Sequence, residues 1–253
     1  MKPYILAENN WKNIKEMNVE LAVLPWGATE AHNYHMPYAT DNYQVDAVAE
    51  MSAKIAWESG KKVMVFPAVP FGVNTGQSDI KLDLNLNPST QLQILRDIIT
   101  VLDRQGIHKL LVLNGHGGNN FKPLLRELGL EFPDMFLSLC NWFQVSDKSK
   151  IFEEEGDHAD EMETSVMLYL REDLISPLDE AGDGAEKKSV VEGIREDWAW
   201  AERQWSQVTA DTGIGNPKKA TKEKGEAYLK EVTKKIGSLM IELAEVDTNH
   251  LYE

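Results

Sequence analysis

Three short runs of this chain are apolar without polar alternation: Leu21-Ala-Val-Leu-Pro25, Val63-Met-Val-Phe66 and Lys109-Leu-Leu-Val-Leu-Asn114. A strand with one wet face alternates, whereas a strand covered on both faces does not. Such strands need helices on each side of the sheet, and the segments between them have helical spacing. Residues 41–60 carry Val45, Val48, Ala49, Met51, Ile55 and Ala56 on one side and end at Gly60. Behind Ser89-Thr90, read as an N-cap, Leu92, Ile94, Leu95, Ile98, Ile99 and Leu102 recur at steps of three and four until Gly106. Residues 121–130 predict another helix, Met135-Phe-Leu-Ser-Leu139 a fourth strand, and residues 161–170 and 223–245 two further helices. This alternation is the mark of an α/β layer fold, and with no repeat or linker in it residues 1–253 read as one domain.

Two stretches break the rhythm. Residues 72–88 are rich in glycine and asparagine, which suits a binding loop or lid, with a short strand over residues 80–84 as the alternative. Residues 178–206 mix acids, glycines and Trp198, Trp200 and Trp205 without periodicity. They read as a partly ordered excursion whose tryptophans pack on the parent domain or on a neighbouring subunit.

Charge narrows the partners. With 26 Lys+Arg against 41 Asp+Glu the formal charge is −15, a field that repels phosphate backbones and anionic lipid. No nucleic acid and no membrane surface is expected as a partner. The N-terminus lacks a signal-peptide pattern, no run of ~18 apolar residues occurs, and Cys140 is a single cysteine. The expectation is a cytoplasmic protein.

The chemistry concentrates in three segments: Glu30-Ala-His32-Asn-Tyr-His35 with Asp41, Gly115-His116-Gly117-Gly118, and Asp157-His158-Ala-Asp160-Glu161-Met-Glu163. Each adjoins an inferred buried element, so all three can converge at one edge of the sheet, where open α/β sheets bind ligands. Imidazole and carboxylate donors without a thiolate cluster suit Zn²⁺, Mn²⁺ or Fe²⁺. The donors exceed what one tetrahedral ion needs, which points to a pair of ions bridged by a carboxylate, and Asp41 is the natural bridge. A nucleophile elbow, a dinucleotide fingerprint and a phosphate loop are all missing from the sequence, so metal-activated water fits better than covalent catalysis.

Taken in order, these segments resemble the creatininase (creatinine amidohydrolase) family. Leu24-Pro-Trp-Gly-Ala-Thr-Glu30-Ala-His32-Asn-Tyr-His35 is similar to its opening block, and Thr40-Asp41 falls where its bridging aspartate is expected. Asn114-Gly-His116-Gly-Gly-Asn119, His158-Ala-Asp-Glu161-Met-Glu163-Thr-Ser165 and Gly215-Asn-Pro with Ala220-Thr-Lys-Glu-Lys-Gly225 resemble its later blocks. The resemblance implies a Rossmann-like three-layer sandwich with a mostly parallel central sheet, assembled as a homo-oligomer, a hexamer in the family. It also implies two divalent ions per subunit, Zn²⁺ first and Mn²⁺ or Fe²⁺ as alternatives, and hydrolysis of a carbon–nitrogen bond in a small cyclic amide, formamide or related amide. A non-catalytic metal- or metabolite-binding member of the same fold is the alternative.

Carried over by position, Glu30, Asp41 and His116 hold one ion and His32 and Asp41 the second. Gly118 stands where creatininases place a further glutamate, so the extra ligand is expected at Glu161, with Glu163 as runner-up. His158 is the expected proton shuttle, with Glu161 or Glu163 as proton carrier where it is not a ligand. Trp142 and His35 are the expected substrate contacts. Glu154 replaces a second substrate-facing tryptophan, which directs the reading away from creatinine and towards another small amide.

Overall fold

The computed structural model describes residues 1–252. A helical turn α1 (Trp11–Ile14) leads into β1 (Leu21–Trp26), α2 (Thr40–Glu58), β2 (Val63–Val65), α3 (Pro88–Arg104), β3 (Lys109–Asn114), α4 (Phe121–Glu131) and β4 (Phe136–Asn141). There follow β5 (Gly156–His158), α5 (Glu161–Arg171), the four-residue helices α6 (Glu192–Arg195) and α7 (Trp205–Val208), β6 (Ile214–Gly215) and the long α8 (Lys222–Glu245).

The four main strands are parallel and ordered β2-β1-β3-β4. Side chains alternate across the sheet, so every strand feeds two cores. Leu21 and Val23 of β1 and Leu111 and Leu113 of β3 pack with α2, α5 and α8, around Val48, Val166, Leu229 and Ile236. Ala22, Leu24 and Trp26 with Leu110 and Val112 pack against α3 and α4, around Leu95, Ile99, Phe121 and Leu128. Helices therefore cover both faces, which gives the three-layer α/β/α sandwich that the unbroken apolar strands require.

The strand order fixes where a ligand goes. From β1 the chain steps outward to β2 through α2, then returns through α3 to β3 on the other side of β1. The connections after β1 and β3 thus leave in opposite directions, which makes their carboxyl ends the switch point where open α/β sheets bind ligands.

Some local expectations are corrected. The cap of α3 is Asn87, with Pro88 in the first turn, because proline's fixed φ and missing N–H suit that position; Ser89 and Thr90 lie inside the helix. Residues 80–84 form no strand and touch the rest of the sheet system only through the single bridge Thr29↔Leu84. The antiparallel ribbon of β5 and β6, two strands of two or three residues, is too short for a periodic signal.

The start of α5 is held from far along the chain. Glu161 is fully buried, and its Oε2 accepts the backbone N–H groups of Glu153 and Glu154, each at 2.8 Å. Its Oε1 pairs with Lys224 Nζ at the head of α8. Lys224→Met leaves that carboxylate without its counterion and should cost about 3 kcal/mol, by the rule that removing one partner of a buried pair strands the other. The check is thermal unfolding: a Tm within a degree of the parent's contradicts the clamp.

Candidate metal centre

The crevice beyond β1 and β3 holds the three segments singled out in the sequence. Glu30 and His32 lie on the turn that leaves β1, Asp41 in the first turn of α2, His116 just past β3, His158 at the end of β5 and Glu163 in the first turn of α5. A helix N-terminus favours a carboxylate, which places Asp41 and Glu163 well. Glu30 and His32 are completely buried, and Asp41, His116 and His158 are between 2% and 7% exposed.

Asp41 is the hub. Its Oδ1 lies 3.1 Å from His32 Nε2, and its Oδ2 lies 3.1 Å from His116 Nδ1. Glu30 Oε1 approaches the same His116 nitrogen at 2.8 Å. Three sets of ligand atoms converge to within 4.8 Å of one another: Glu30, Asp41 and His116; His32, Asp41 and Glu163; and Glu30, His32 and His158. The first two sets share Asp41 through different oxygens.

Each histidine is oriented by its other nitrogen. His116 Nε2–H donates to the Val73 carbonyl (3.0 Å), His32 Nδ1–H to the Glu30 carbonyl (3.0 Å) and His158 Nε2–H to the Ala31 carbonyl (2.8 Å). The nitrogen left over in every case faces the carboxylates. That is the arrangement in which metal-binding histidines are held, one N–H on a backbone acceptor and the second nitrogen free for an ion. Glu30 Oε1 and Asp41 Oδ2 are buried without an aligned hydrogen-bond donor, although both crowd the His116 ring. Oxygen donors left bare in this way, opposite borderline imidazole nitrogens, fit divalent cations such as Zn²⁺ or Mn²⁺.

The electrostatics divide the histidines into two kinds. Burial alone lowers a histidine pKa, but the charge and hydrogen bond of Asp41 more than reverse this at His32 and push it up to about 10. For His116 the same burial is overcome by Glu30 and Asp41, which hold it well above its ordinary value. Glu30 and Asp41 are lowered in turn, because His116 at the first and His32 with His116 at the second outweigh the cost of burying the carboxylates. His158 goes the other way, lowered by burial and by the charge of His32. Burial raises Glu163, with Asp41 and Asp160 adding to the effect.

Glu161 is a correction to the expected ligand set. Both of its oxygens are engaged by Lys224 and two amides, away from the cluster, and Glu163 stands beside His32 and Asp41 instead. Residues two apart on a helix point roughly 200° from one another, so only one of the two glutamates could face the crevice. The same geometry removes Glu161 as a proton carrier. Gly118 has no room for a further ligand, since a Cβ there would collide with His116 Nε2 and the Val73 carbonyl.

Neither expected substrate contact lies in the cluster. Trp142 is fully buried, its ring 6.2 Å from Tyr228 and 6.3 Å from Phe143 in the helix-covered core, so it presents no free indole face. His35 is buried behind His32 with its Nε2 2.8 Å from Thr164 Oγ1, and burial with the His32 charge lowers it to about 4.

Several supporting residues make contacts that no spacing in the sequence specifies. Gln77 Nε2 donates to Glu30 Oε2 at 2.5 Å from within the irregular 72–88 loop. Asn119 donates to Asn114 Oδ1 (3.0 Å), which also accepts the His116 amide (3.1 Å), and so shapes the turn after β3. Trp205, from the excursion, meets the His158 ring at 4.9 Å between centroids.

Comparison with known proteins agrees with this architecture. The sequence profile of the Creatininase family, creatinine amidohydrolase, matches residues 7–240. Creatinine amidohydrolase of Pseudomonas putida is 29% identical over 198 residues, 69% of this chain and 74% of that protein. The 3-dehydro-scyllo-inosose hydrolase of Thermotoga maritima is 28% identical over 172 residues, 63% of this chain and 53% of that protein. A crystal structure from Bacteroides fragilis NCTC 9343, provisionally named a creatinine amidohydrolase, is 44% identical with a TM-score of 0.93, each chain covered completely. With the fold, the crevice and a profile match across nearly its whole length, this chain belongs to the creatininase family.

Proposed function

We propose that this protein is a metal-dependent amidohydrolase that cleaves a carbon–nitrogen bond of a small cyclic amide, formamide or related amide with metal-activated water. The observation that carries the reading is Asp41, with one oxygen turned to His32 and the other to His116. Glu30, Asp41 and His116 would hold one ion, and His32, Asp41 and Glu163 the second. Zn²⁺ is the first choice for this donor set, with Mn²⁺ or Fe²⁺ as alternatives. Ions bound there supply a nucleophile near neutral pH, by lowering the pKa of water from 15.7 towards ~7, and polarise the amide carbonyl.

The proton steps fall to His158. Its Nε2–H is committed to the Ala31 carbonyl, which leaves Nδ1 towards the cluster, 3.9 Å from Glu30 Oε1. Its lowered pKa keeps the ring neutral at pH 7, ready to accept a proton during attack and return it to the departing nitrogen. Gln77 fixes the Glu30 carboxylate, and the Val73 carbonyl fixes the His116 tautomer. The acidic charge balance supports a small neutral amide over nucleic acid or membrane lipid, and among the described residues no helix is long and apolar enough to cross a membrane. We further propose a cytoplasmic homo-oligomer, a hexamer by family resemblance, in which a subunit contact would cover the exposed Trp198, Trp200 and Val190.

Metal content after purification without chelator, paired with a screen of lactams, formamides and linear amides for released amine and carboxylate, tests the reading. We expect about two ions per chain in the parent protein, near-complete loss in Asp41→Ala, loss of one ion in Glu163→Gln and retention of both in Glu161→Gln. Two ions retained in Asp41→Ala would remove the bridge. A loaded parent that releases no amine from any compound would favour a binding protein of the same fold.

Protons report the same centre. Because His32 and His116 each hold a second proton at pH 7 in the metal-free chain, Zn²⁺ must displace them, and Glu163 can add to the count. Zn²⁺ added to the chelator-treated protein in weak buffer should release about two protons or more per chain, and its affinity should rise with pH. Without metal the sign reverses: the stability contributed by His32 is full below its ordinary pKa of ~6.5 and is lost as pH climbs through about 10. A pH-independent Zn²⁺ affinity between pH 6 and 8 contradicts this assignment.

A further inference from the structure

We propose that residues 202–208, which carry Trp205, form a movable cover over the His158 side of the crevice, and that substrate reaches the cluster past this indole. The inference rests on the preceding reading only in taking the cluster as the place of reaction.

Five of the six cluster residues are too deeply buried for a substrate to meet them without movement, since none of Glu30, His32, Asp41, His116 and His158 is more than 7% exposed, while Glu163 is half-buried. Most of their surroundings are tied down. The start of α5 is clamped by Lys224, and the turn after β1 is held by Asn33, whose Oδ1 accepts the Gly182 amide and whose own amide donates to Thr212 Oγ1, both at 2.9 Å. The segment bearing Trp205 is held differently. Residues 200–204 are exposed and have no regular structure, and their attachments are polar contacts at the surface. Glu202 Oε1 accepts from Thr75 Oγ1 (2.9 Å), Arg203 Nη1 pairs with Asp157 Oδ2 (2.5 Å), and Ser206 Oγ donates to Asp79. Exposed pairs of this kind are individually weak, and segments held by them open first.

Trp205 is the single large apolar anchor of this strap. Its ring meets His158 edge to face at 65°, and His158 is tilted by 37° against His32 at 4.2 Å between centroids, so the indole is the outermost of three contacting rings. Downstream the chain is fixed again, by Lys187 N–H to the Val208 carbonyl (2.8 Å) and by the buried Thr209–Asp211 hydrogen bond (2.8 Å). The strap therefore has a firm end and a loosely tied end. Its seat is the turn Thr75–Gln77, in which the Arg203 carbonyl rests so closely on Gly76 that an added Cβ would collide with it. The next residue in that turn, Gln77, holds Glu30, so the cover and one acid of the cluster share a support.

The test reads the accessibility of His158 in the protein as purified. Diethyl pyrocarbonate modification is followed by peptide mass mapping, with the exposed His250 as internal reference. Trp205→Ala removes the seal. Gly76→Ala leaves the indole intact but displaces its seat, and the double variant Glu202→Ala/Ser206→Ala, which alters only surface groups, unties the strap if Gly76→Ala fails to fold. We expect His158 modification relative to His250 to rise about tenfold in Trp205→Ala and severalfold when the strap is displaced, because local opening governs access. Equal rates in the parent and all variants overturn the proposal, and so does a rise confined to Trp205→Ala, which would make the indole a fixed wall. Metal content does not enter this readout, so a chain that binds no ion yet shows the gated modification fails the amidohydrolase reading and keeps the cover.

Discussion

The structure turns on one buried carboxylate shared between two imidazoles. Taking Asp41 out of water is costly unless charge and hydrogen bonds replace the lost hydration. His32 supplies both at one oxygen, and His116 sets its charge 3.1 Å from the other. For that to happen the end of β1, the end of β3 and the first turn of α2 must meet, and they meet because the sheet order reverses between β1 and β3. The doubly covered sheet is the frame that brings those three chain ends together.

Around that hub, similar residues acquire different work through their neighbours. All three histidines donate one N–H to a backbone carbonyl. Two of them then face a carboxylate at about 3 Å and hold a second proton until something displaces it. The third stands 3.9 Å from Glu30, feels the positive His32 beside it and stays neutral. Distance to the nearest acid decides which imidazole holds a second proton and which stays neutral.

The sheet and its helices were legible because burial on both faces leaves a mark in composition, as in the unbroken run Leu21 to Leu24. Glu30, His32, Asp41 and His116 were legible because strand ends and helix starts must converge in such a sheet. The choice between Glu161 and Glu163 needed a helix phase that two acids flanking Met162 do not reveal. Gln77 sits in an irregular loop with no period to read, and Trp205 lies some 47 residues after His158 in sequence yet rests on its ring. Contacts of that span come from tertiary packing, where a single sequence carries no signal.

The pairing of Glu161 with Lys224 spans 63 residues. During synthesis the sheet and four of the six converging residues emerge well before α8, while the helix that carries Glu163 still lacks its clamp. A nascent chain can therefore present a half-built acidic crevice but not the complete one. The set Glu30, Asp41 and His116 is thus complete in chain order before α5, whereas Glu163 depends on α8 to clamp the start of its helix, so the two halves of the cluster draw on different parts of the chain.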